Sequence, residues 1–472
     1  METGFYDRKE ELGTLRDTYA HLLRGEMLVY YGRRRVGKTE LMDQFIREIP
    51  QERRLYAYID PQGAENVLLM LSKAVREQLK EEVKFEDFSA FLRYIGQKSE
   101  LEKFVLVLDE FQRFLFISPS FIASLQHEWD SLLRHKKLLL ILLGSSIGMI
   151  QKIMDSKAGA LYGRATKIKI SPFRYGDFRL MFDGMAEEEK ISRYAVFGGT
   201  PYYAERARDF EGTLQAIDTL ILKKDGRLRE EPKNLLEYEN LEVHARYNSI
   251  LQALSEGKEV MQEIQDFTHL TAADMTAYLK KLDTLLDLIE RNDPLLGKGR
   301  LGRYRIKDNF FRFWYRFIFP NQTALSLGNT QLVSDSIKKD LNSYIGRIFE
   351  EVVMDLLIRY QNKSINGAHI SFENIGKWWN RQGEEIDVVA YNKSSRWILL
   401  CEVKWSSNPV GIDILKNLER KSRLMDFKGT YQFLLVSKSG FTEECIMEME
   451  KSKILSLNLS EMEILFDEAQ KF

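Results

Sequence analysis

A short glycine-rich segment has the residues and the spacing needed to hold a triphosphate. In such a segment the backbone N–H groups surround the phosphates, and the start of the following helix adds partial positive charge. The lysine would reach the β- and γ-phosphates, and the threonine hydroxyl would hold Mg²⁺. The pattern is G-x-x-x-x-G-K-[ST], which predicts ATP and Mg²⁺ as ligands. Its eight residues are Gly32, Arg33, Arg34, Arg35, Val36, Gly37, Lys38 and Thr39.

Two acids follow an apolar run farther along the chain. Residues 104–108 are all apolar, and Asp109 and Glu110 come next. Asp109 is an expected magnesium ligand, acting through water, because a strand that ends there delivers it to the carboxyl edge of a sheet. Glu110 could orient or deprotonate the attacking water, which predicts hydrolysis of the nucleotide. The alternative is a pair of acids that only ends a strand.

Three further residues are candidates for sensing the γ-phosphate. Ser145 or Ser146 follows the apolar run 138–143 and would lie at the tip of the next strand. A plain turn is the alternative there. Arg164 could act as an arginine finger or as a phosphate sensor within the same chain. An ordinary surface arginine is the alternative at this position.

The alternation of apolar and amphipathic segments predicts the elements that must position these residues. Residues 1–184 alternate short apolar runs with helical stretches, so we expect an ATPase core with a parallel α/β sheet covered by helices on both faces. Residues 185–238 have a helical pattern and are expected to form a lid. The expected strands are 27–31, 55–59, 104–108, 138–143 and 167–170.

The remaining residues predict two more domains. Residues 239–312 contain three expected helices and a basic hairpin, which is the order of a winged helix-turn-helix. Residues 313–472 are expected to form an aromatic linker, whose rings pack between domains, and a small α/β domain of order α-β-β-β-α-β. The three helices are expected at 246–255, 260–268 and 272–289, and the hairpin at 296–306. The C-terminal domain is expected to contain helices 345–358 and 412–425 and strands 370–372, 386–391, 397–403 and 431–436.

The composition predicts a cytoplasmic protein with several cores. A length of 472 residues exceeds one ordinary domain, so about two to four domains are expected. The presence of only two cysteines fits a reducing compartment. The net charge of −1 argues against binding of polyanions over the whole surface, but it allows a local basic patch. No apolar run is long enough to span a bilayer, so we expect no membrane partner.

The nucleotide-binding residues, taken together, resemble those of the archaeal-type ATPases in the STAND branch of the AAA+ superfamily. The resemblance implies that Arg8 lies near the nucleotide and that Pro201, in a G-x-P element, contacts the adenine. It extends from residue 1 to about residue 310 and includes the winged helix. Members with this build carry a C-terminal domain that resembles a PD-(D/E)xK nuclease. The segments that carry the resemblance are 5–12, 32–39, 108–112, 143–146 and 199–201.

The C-terminal residues fit the nuclease that this resemblance implies. Such an enzyme needs a hard cation held by acids and a lysine beside the attacking water. Asp387 and Glu402 are the expected metal ligands, and Lys404 projects from the same strand face as Glu402 because it lies two residues later. Glu350, on the preceding helix, stands where related nucleases place another acid. The alternative is a buried structural ion pair on an inactive nuclease-like scaffold.

A basic stripe begins within the expected hairpin and continues beyond it. On a wing such residues could neutralise DNA phosphates without reading the base sequence. The alternatives are a lid or a protein-docking module, which winged helices appended to ATPases often form, and a basic aromatic segment that holds domains together. The stripe consists of Lys298, Arg300, Arg303, Arg305, Lys307, Arg312 and Arg316, against the single acid Asp308.

Two functional hypotheses follow from these residues. The first is an ATPase whose nucleotide state controls a metal-dependent, nuclease-like domain that acts on DNA. The second is a nucleotide-driven switch or scaffold whose C-terminal domain only binds DNA or a protein partner. A homo-oligomer is compatible with both. A small-molecule kinase is disfavoured, because the G-x-P element and the winged helix fit a switch better than an acceptor pocket.

Overall fold

The computed structural model describes residues 6, 8–60, 63–154, 161–238, 244–297 and 301–470. The chain divides into two compact units. The first comprises Met1–Ser171 and Lys280–Asp287, and the second comprises Pro172–Leu279 and Leu288–Phe472. The expected division into four parts, with bounds at 184, 238 and 312, stays a prediction. Within the described ranges, no helix is both long enough and apolar enough to cross a membrane.

A five-stranded sheet forms the centre of the first unit. Its strands are β1 (Glu26–Tyr31), β2 (Arg54–Tyr58), β3 (Phe104–Asp109), β4 (Leu138–Gly144) and β5 (Thr166–Lys169). They lie in the order β2-β3-β4-β1-β5, and every neighbouring pair is parallel. Each expected strand is present, so the predicted parallel α/β fold is confirmed.

Helices cover both faces of this sheet because its central strands are apolar on both faces. The helices are α1 (Lys9–Ala20), α2 (Lys38–Ile46), α3 (Ala64–Leu79), α4 (Phe88–Lys98), α5 (Phe114–Ile117), α6 (Pro119–Ser131) and α7 (Ile147–Met154). One core contains Leu28 and Ile141 and is closed by α1 and α2. The other contains Val29 and Leu140 and is closed by α3 to α7. Alternate residues of one strand therefore enter different cores.

The topology brings the nucleotide-binding motifs to one edge of the sheet. The phosphate loop follows β1, Asp109 ends β3, and Ser145 follows β4. Because β4 lies between β1 and β3, the carboxyl ends of all three strands are adjacent. Ligands of open α/β sheets bind at this kind of edge.

The second unit begins with helices and a small hairpin. Its helices are α8 (Tyr175–Phe178), α9 (Glu187–Phe197), α10 (Pro201–Arg208), α11 (Thr213–Ile217), α12 (Glu231–Tyr238), α13 (His244–Ser255), α14 (Met261–Thr268) and α15 (Ala272–Thr284). The chain leaves this unit within α15 and returns to it after Asp287. The antiparallel strands β6 (Ile289–Asn292) and β7 (Arg303–Ile306) then form the hairpin.

The structure corrects the expected end of the third helix and the start of the hairpin. The prediction ran the helix to Ile289, because apolar residues continue at helical spacing. The helix instead ends at Thr284, and Ile289 opens β6. Asp287 adopts a left-handed conformation with φ of 52°, which a helix cannot contain.

The aromatic segment 310–319 lies mostly in the interior of the second unit. The Trp314 Nε1–H donates a hydrogen bond of 2.7 Å to the Arg229 carbonyl. The Tyr315 hydroxyl donates one of 2.7 Å to the Asn248 side chain. These bonds connect the segment to the expected lid and to α13, in agreement with the predicted packing role.

A mixed five-stranded sheet completes the second unit. Its strands are β10 (Asn374–Trp379), β11 (Glu385–Asn392), β12 (Trp397–Lys404), β13 (Thr430–Ser437) and β14 (Leu455–Asn458), preceded by a separate hairpin of β8 (Lys363–Ile365) and β9 (Ala368–Ile370). Strands β10 to β12 are antiparallel, whereas β12 to β14 are parallel. The helices are α16 (Asn309–Phe313), α17 (Gln322–Ser326), α18 (Thr330–Arg359), α19 (Ile412–Ser422), α20 (Glu443–Ser452) and α21 (Leu459–Ala469).

The structure also corrects the first strand of the C-terminal order. Residues 370–372 were the expected strand, but Ile370 ends β9 in the small hairpin. The first strand of the sheet is β10. Its sequence is hard to recognise as a strand because it contains Gly376 and the adjacent Trp378 and Trp379. Its burial does not alternate, and its pairing with β11 shifts register between Gly376 and Trp378.

Candidate nucleotide site and metal centre

The phosphate loop is held tightly between two neighbouring strands. The Gly32 N–H donates a 3.2 Å hydrogen bond to the Gly144 carbonyl at the end of β4. A Cβ at Gly32 would lie only 2.1 Å from the Ile170 carbonyl oxygen, just beyond β5. Gly37, which precedes α2, has a φ of 91° that glycine adopts readily. Both glycines of the motif therefore have a steric reason to be glycine.

Replacing Gly32 by alanine should destabilise the first unit. The added Cβ overlaps backbone, so the strand ends must move, at a cost of about 1–3 kcal/mol. For a unit of this size that lowers the Tm by ~2–4 °C per kcal/mol. Differential scanning calorimetry measures the shift. Gly13→Ala, in α1, is the matched control, because a Cβ there meets nothing within 4 Å. Equal Tm values for the two variants would contradict this account of the loop.

Lys38 is buried inside the phosphate loop. Its Nζ donates hydrogen bonds of 2.8 Å to the carbonyls of Gly32 and Arg33. Burial lowers the pKa of this ammonium group to about 8, although the nearby Glu110 and Asp109 oppose the shift. The ammonium group is thus held by neutral acceptors that phosphate oxygens could replace.

Asp109 and Thr39 provide oxygen atoms of the kind that Mg²⁺ prefers. The Thr39 hydroxyl lies 3.4 Å from Asp109 Oδ2. The Tyr56 hydroxyl, on β2, donates a 2.5 Å hydrogen bond to the same oxygen. Burial raises the pKa of Asp109, and the bond from Tyr56 opposes that shift. The sequence analysis missed Tyr56, whose only signal is its place on the strand beside β3.

Glu110 is oriented by two polar neighbours. Its backbone has a left-handed φ of 57°. The Ser145 hydroxyl donates a 2.8 Å hydrogen bond to Glu110 Oε2, and the Gln112 amide donates one of 2.6 Å to the same oxygen. The structure therefore brings the predicted Glu110 and Ser145 together. Gln112 was recognised only as part of a motif, and its role as a second donor was missed.

Three other predicted residues have different surroundings. Arg8 donates to the carbonyls of Val36 and Ser171, at 3.0 and 2.6 Å, so it ties the phosphate loop to the segment after β5. Arg164 makes a two-pronged ion pair with Asp130, at 2.9 and 2.6 Å. Pro201 is the first residue of α10, in the second unit. Their roles at a nucleotide stay predictions, as does the motif segment 5–12, whose residues 5 and 7 lie outside the described ranges.

Of the four predicted C-terminal residues, Glu350 lies on α18 and the other three lie on two adjacent strands. Asp387 is on β11, and Glu402 and Lys404 are on β12. The Val403 N–H donates a 2.8 Å hydrogen bond to Asp387 Oδ2. Lys404 Nζ lies 2.9 Å from Glu402 Oε1 and 3.6 Å from Asp387 Oδ2. The hairpin that the sequence predicted therefore brings these three side chains together.

The acids that could share one cation differ in part from the expected pair. Carboxylate oxygens of Glu350, Glu385 and Asp387 lie within 4.8 Å of one another. Glu402 instead contacts two ammonium groups, since Lys421 Nζ lies 3.3 Å from it. Within the described residues, we therefore take the three former residues, called here the carboxylate cluster, as the group that fits a divalent cation. The sequence analysis missed Glu385, although it lies two residues before Asp387 on the same strand face.

Burial raises the free-energy cost of ionising the carboxylates of this cluster unless a positive charge lies nearby. The pKa of Glu350 is raised to about 7, first by burial, then by Asp387, against the effect of its ion pair with Lys377. Burial and the neighbouring Glu402 raise the pKa of Asp387. A divalent cation would relieve this mutual repulsion.

The basic stripe is largely paired with acids of the second unit. Arg303 contacts Glu385 at 2.8 Å. Arg305 and Arg312 both contact Glu351, at 3.1 and 3.0 Å. These three arginines favour a role in holding segments of the second unit together over a free DNA-binding face. Lys298 and Arg300 lie outside the described residues.

Two family models match the chain. Residues 5–206 match a model described as an ATPase domain predominantly from Archaea. Residues 314–422 match a model described as "Archaea bacterial proteins of unknown function". The first match contains the phosphate loop, Asp109, Glu110 and Pro201, whereas the second contains the carboxylate cluster and Lys404.

One relative and two solved structures are similar to the chain. An uncharacterized protein of Methanocaldococcus jannaschii, MJECL04, is 34% identical over 430 residues, which cover 89% of this chain and 92% of the relative. The Walker-type ATPase PABY2304 of Pyrococcus abyssi has a TM-score of 0.50 at 21% identity, over 66% of this chain and 96% of that one, and shares the fold. The ORC2 protein of Aeropyrum pernix, solved as ADPNP–ADP complexes, has a TM-score of 0.46 at 13% identity, over 72% and 98% of the respective chains.

Proposed function

This chain belongs to the family of the Methanocaldococcus jannaschii protein MJECL04, and we propose that it is an ATPase that controls a metal-dependent nuclease-like domain acting on DNA. The matched ATPase domain and the shared fold support the ATPase part. The observation that carries the nuclease part is the carboxylate cluster beside Lys404.

At the nucleotide site, the chain's own groups would bind and polarise the triphosphate. Lys38 would exchange its two carbonyl acceptors for phosphate oxygens. Thr39 and Asp109 would hold Mg²⁺, which neutralises charge on the phosphates when bound. Glu110, oriented by Ser145, would accept the proton of the attacking water.

At the C-terminal site, the carboxylate cluster would hold the divalent cation. Such an ion polarises the scissile phosphate and activates water when bound. Lys404 would orient the attacking water and stabilise its developing charge, because its ammonium group lies between Glu402 and Asp387. The Val403 N–H keeps the Asp387 carboxylate in place.

Contacts within the first unit support control by nucleotide. Lys169, at the end of β5, contacts Asp287 at 2.7 Å, and β5 pairs with β1, which leads into the phosphate loop. Ile289, two residues after Asp287, opens the β6–β7 hairpin. Strand pairing, one ion pair and a short chain segment therefore connect the phosphate loop to the hairpin that carries Arg303.

The switch or scaffold remains the second candidate because of one observation. Glu402 is already balanced by Lys404 and Lys421, at 2.9 and 3.3 Å. A satisfied ion-pair network of this kind also occurs in structural sites. In that function the C-terminal domain would bind DNA or a protein partner without cutting it.

A cleavage assay with a hydrolysis-deficient variant tests the proposed function. Glu110→Gln should retain ATP binding and lose hydrolysis by about 10²–10⁴-fold, because the amide cannot accept the proton. Phosphate release measures hydrolysis, and nicking of plasmid, single-stranded DNA and RNA is followed with Mn²⁺, with and without ATP. Glu77→Gln, on the exposed face of α3, is the control. The proposal requires that the two variants nick DNA differently when ATP is present.

Two outcomes argue against it. Hydrolysis by Glu110→Gln at the rate of Glu77→Gln would remove Glu110 from the mechanism. Absence of metal-dependent cleavage of every substrate, in every nucleotide state, would favour the switch or scaffold.

A further inference from the structure

The β6–β7 hairpin lies against the strand that borders the carboxylate cluster. The Leu295 N–H, in the connection between β6 and β7, donates a 2.8 Å hydrogen bond to the Lys377 carbonyl on β10. The Trp379 Nε1–H, also on β10, donates one of 2.8 Å to the Leu301 carbonyl. All of these residues belong to the second unit. The hairpin therefore contacts the edge of the C-terminal sheet through one hydrogen bond at each side of its connection.

One arginine of this hairpin contacts a carboxylate of the carboxylate cluster. Arg303 NH1 lies 2.8 Å from Glu385 Oε2, and its guanidinium lies over the Trp379 ring, 4.6 Å from the centroid. Glu385 is one of the three carboxylates that could share a cation. Arg303 thus pairs with a carboxylate of the cluster from a segment outside the C-terminal sheet.

The cations that balance the cluster differ in their attachment. Lys377 pairs with Glu350 from within β10, which is a strand of the sheet itself. Arg303 comes instead from the four-residue strand β7. A cavity of about 590 Å³, lined by Arg303, Glu350 and Glu385 among others, provides the space into which the guanidinium can withdraw. Of these two cations, Arg303 is therefore the one that a metal ion could displace from the cluster.

We propose that the β6–β7 hairpin is a plug on the metal centre, and that Arg303 competes with the divalent cation for Glu385. This inference rests on the proposed function, because it takes the carboxylate cluster as the metal site. The plugged state binds metal weakly, and withdrawal of the hairpin makes the third carboxylate available. The basic residue that the sequence presented as a DNA contact is then a regulator of the centre.

Metal affinity of the full-length protein tests the plug without any measurement of activity. Binding of Mn²⁺ is measured by electron paramagnetic resonance or by calorimetry. Arg303→Gln should lower the Kd for Mn²⁺ by about tenfold, because a competing charge is removed from a partly exposed pair. Arg303→Lys, which keeps the charge, should bind Mn²⁺ less tightly than Arg303→Gln.

A matched arginine on the same hairpin provides the control. Arg291 is on β6 and pairs with Asp293, at 3.0 Å, so Arg291→Gln should leave the Kd for Mn²⁺ unchanged. Hydrogen exchange of the native protein gives an independent measurement. Mn²⁺ should accelerate exchange of the Tyr304 amide, whose 2.8 Å bond to the Glu259 carbonyl holds β7 in place.

The outcomes separate the plug from the metal centre. If Arg303→Gln binds Mn²⁺ as the native protein does, while Asp387→Asn binds none, the centre is real and the plug is wrong. If neither the native protein nor Arg303→Gln binds Mn²⁺, both the proposed metal centre and the proposed plug are wrong. If Arg291→Gln tightens binding as much as Arg303→Gln, general charge explains the effect and the plug is again wrong.

Discussion

Lys38→Ala should lose ATP binding by at least ~100-fold, because a buried ammonium group makes charge-assisted hydrogen bonds of about 1.5–3 kcal/mol each. In the native protein this group donates to two loop carbonyls at 2.8 Å. Alanine leaves those carbonyls without donors and leaves the triphosphate without its nearest positive charge. Calorimetric titration with ATP measures the loss.

The control for this variant is a lysine in the same unit that lies far from the loop in sequence. Lys73, on α3, is exposed and pairs with Glu77 at 3.7 Å, so Lys73→Ala should bind ATP normally. The far-ultraviolet circular dichroism of both variants should match that of the native protein. If Lys38→Ala and Lys73→Ala bind ATP equally well, the nucleotide is bound somewhere other than the phosphate loop.

The first unit could be predicted well because its signals are local. The central strands, such as β3 and β4, are runs of mostly apolar residues that are buried on both faces, so their places in the sequence are clear. The phosphate loop has steric reasons for both of its glycines, and the spacing of these glycines with the lysine can be recognised directly in the sequence. Asp109 and Glu110 follow a strand directly, so the sequence alone places them at the sheet edge.

The carboxylate cluster could be predicted only in part because its members come from distant segments. Asp387, Glu402 and Glu350 were all expected at this site, but the group that could share a cation contains Glu385 instead of Glu402. The charge of Glu402 is balanced in part by Lys421. Because Lys421 follows Glu402 by 19 residues, no local sequence pattern reveals this contact. Tertiary packing therefore decides which acids could share a cation and which acids pair with lysines.

The basic stripe shows the same limit more clearly. Arg303 and its partner Glu385 are 82 residues apart, and Arg305 and Glu351 are 46 residues apart. In sequence, both arginines stand in a stripe with a single acid, which is typical of a surface that binds phosphates. In the structure they are internal partners of glutamates. Net charge of a segment therefore could not distinguish a DNA contact from a docked hairpin.

The second large effect is expected at the metal centre. Asp387→Asn should weaken Mn²⁺ binding by at least ~100-fold and remove Mn²⁺-dependent DNA cleavage, because divalent cations of this class bind through charged oxygen ligands. ATP hydrolysis should be unchanged, since Lys38, Thr39, Asp109 and Glu110 of the nucleotide site are intact. Asp413→Asn, at the exposed start of α19, is the control and should retain metal binding and cleavage.

The stability of this variant separates loss of a ligand from loss of the fold. Burial and Glu402 raise the pKa of Asp387, so the native state binds this proton more tightly than the unfolded state does. The ionised carboxylate therefore costs stability at pH values above its unfolded pKa of about 4. Asparagine removes that cost and still accepts the Val403 hydrogen bond, so the Tm at pH 7 should be equal or higher. A lower Tm together with lost cleavage would mean that Asp387 is a structural residue, whereas an equal or higher Tm with lost Mn²⁺ binding identifies it as a ligand.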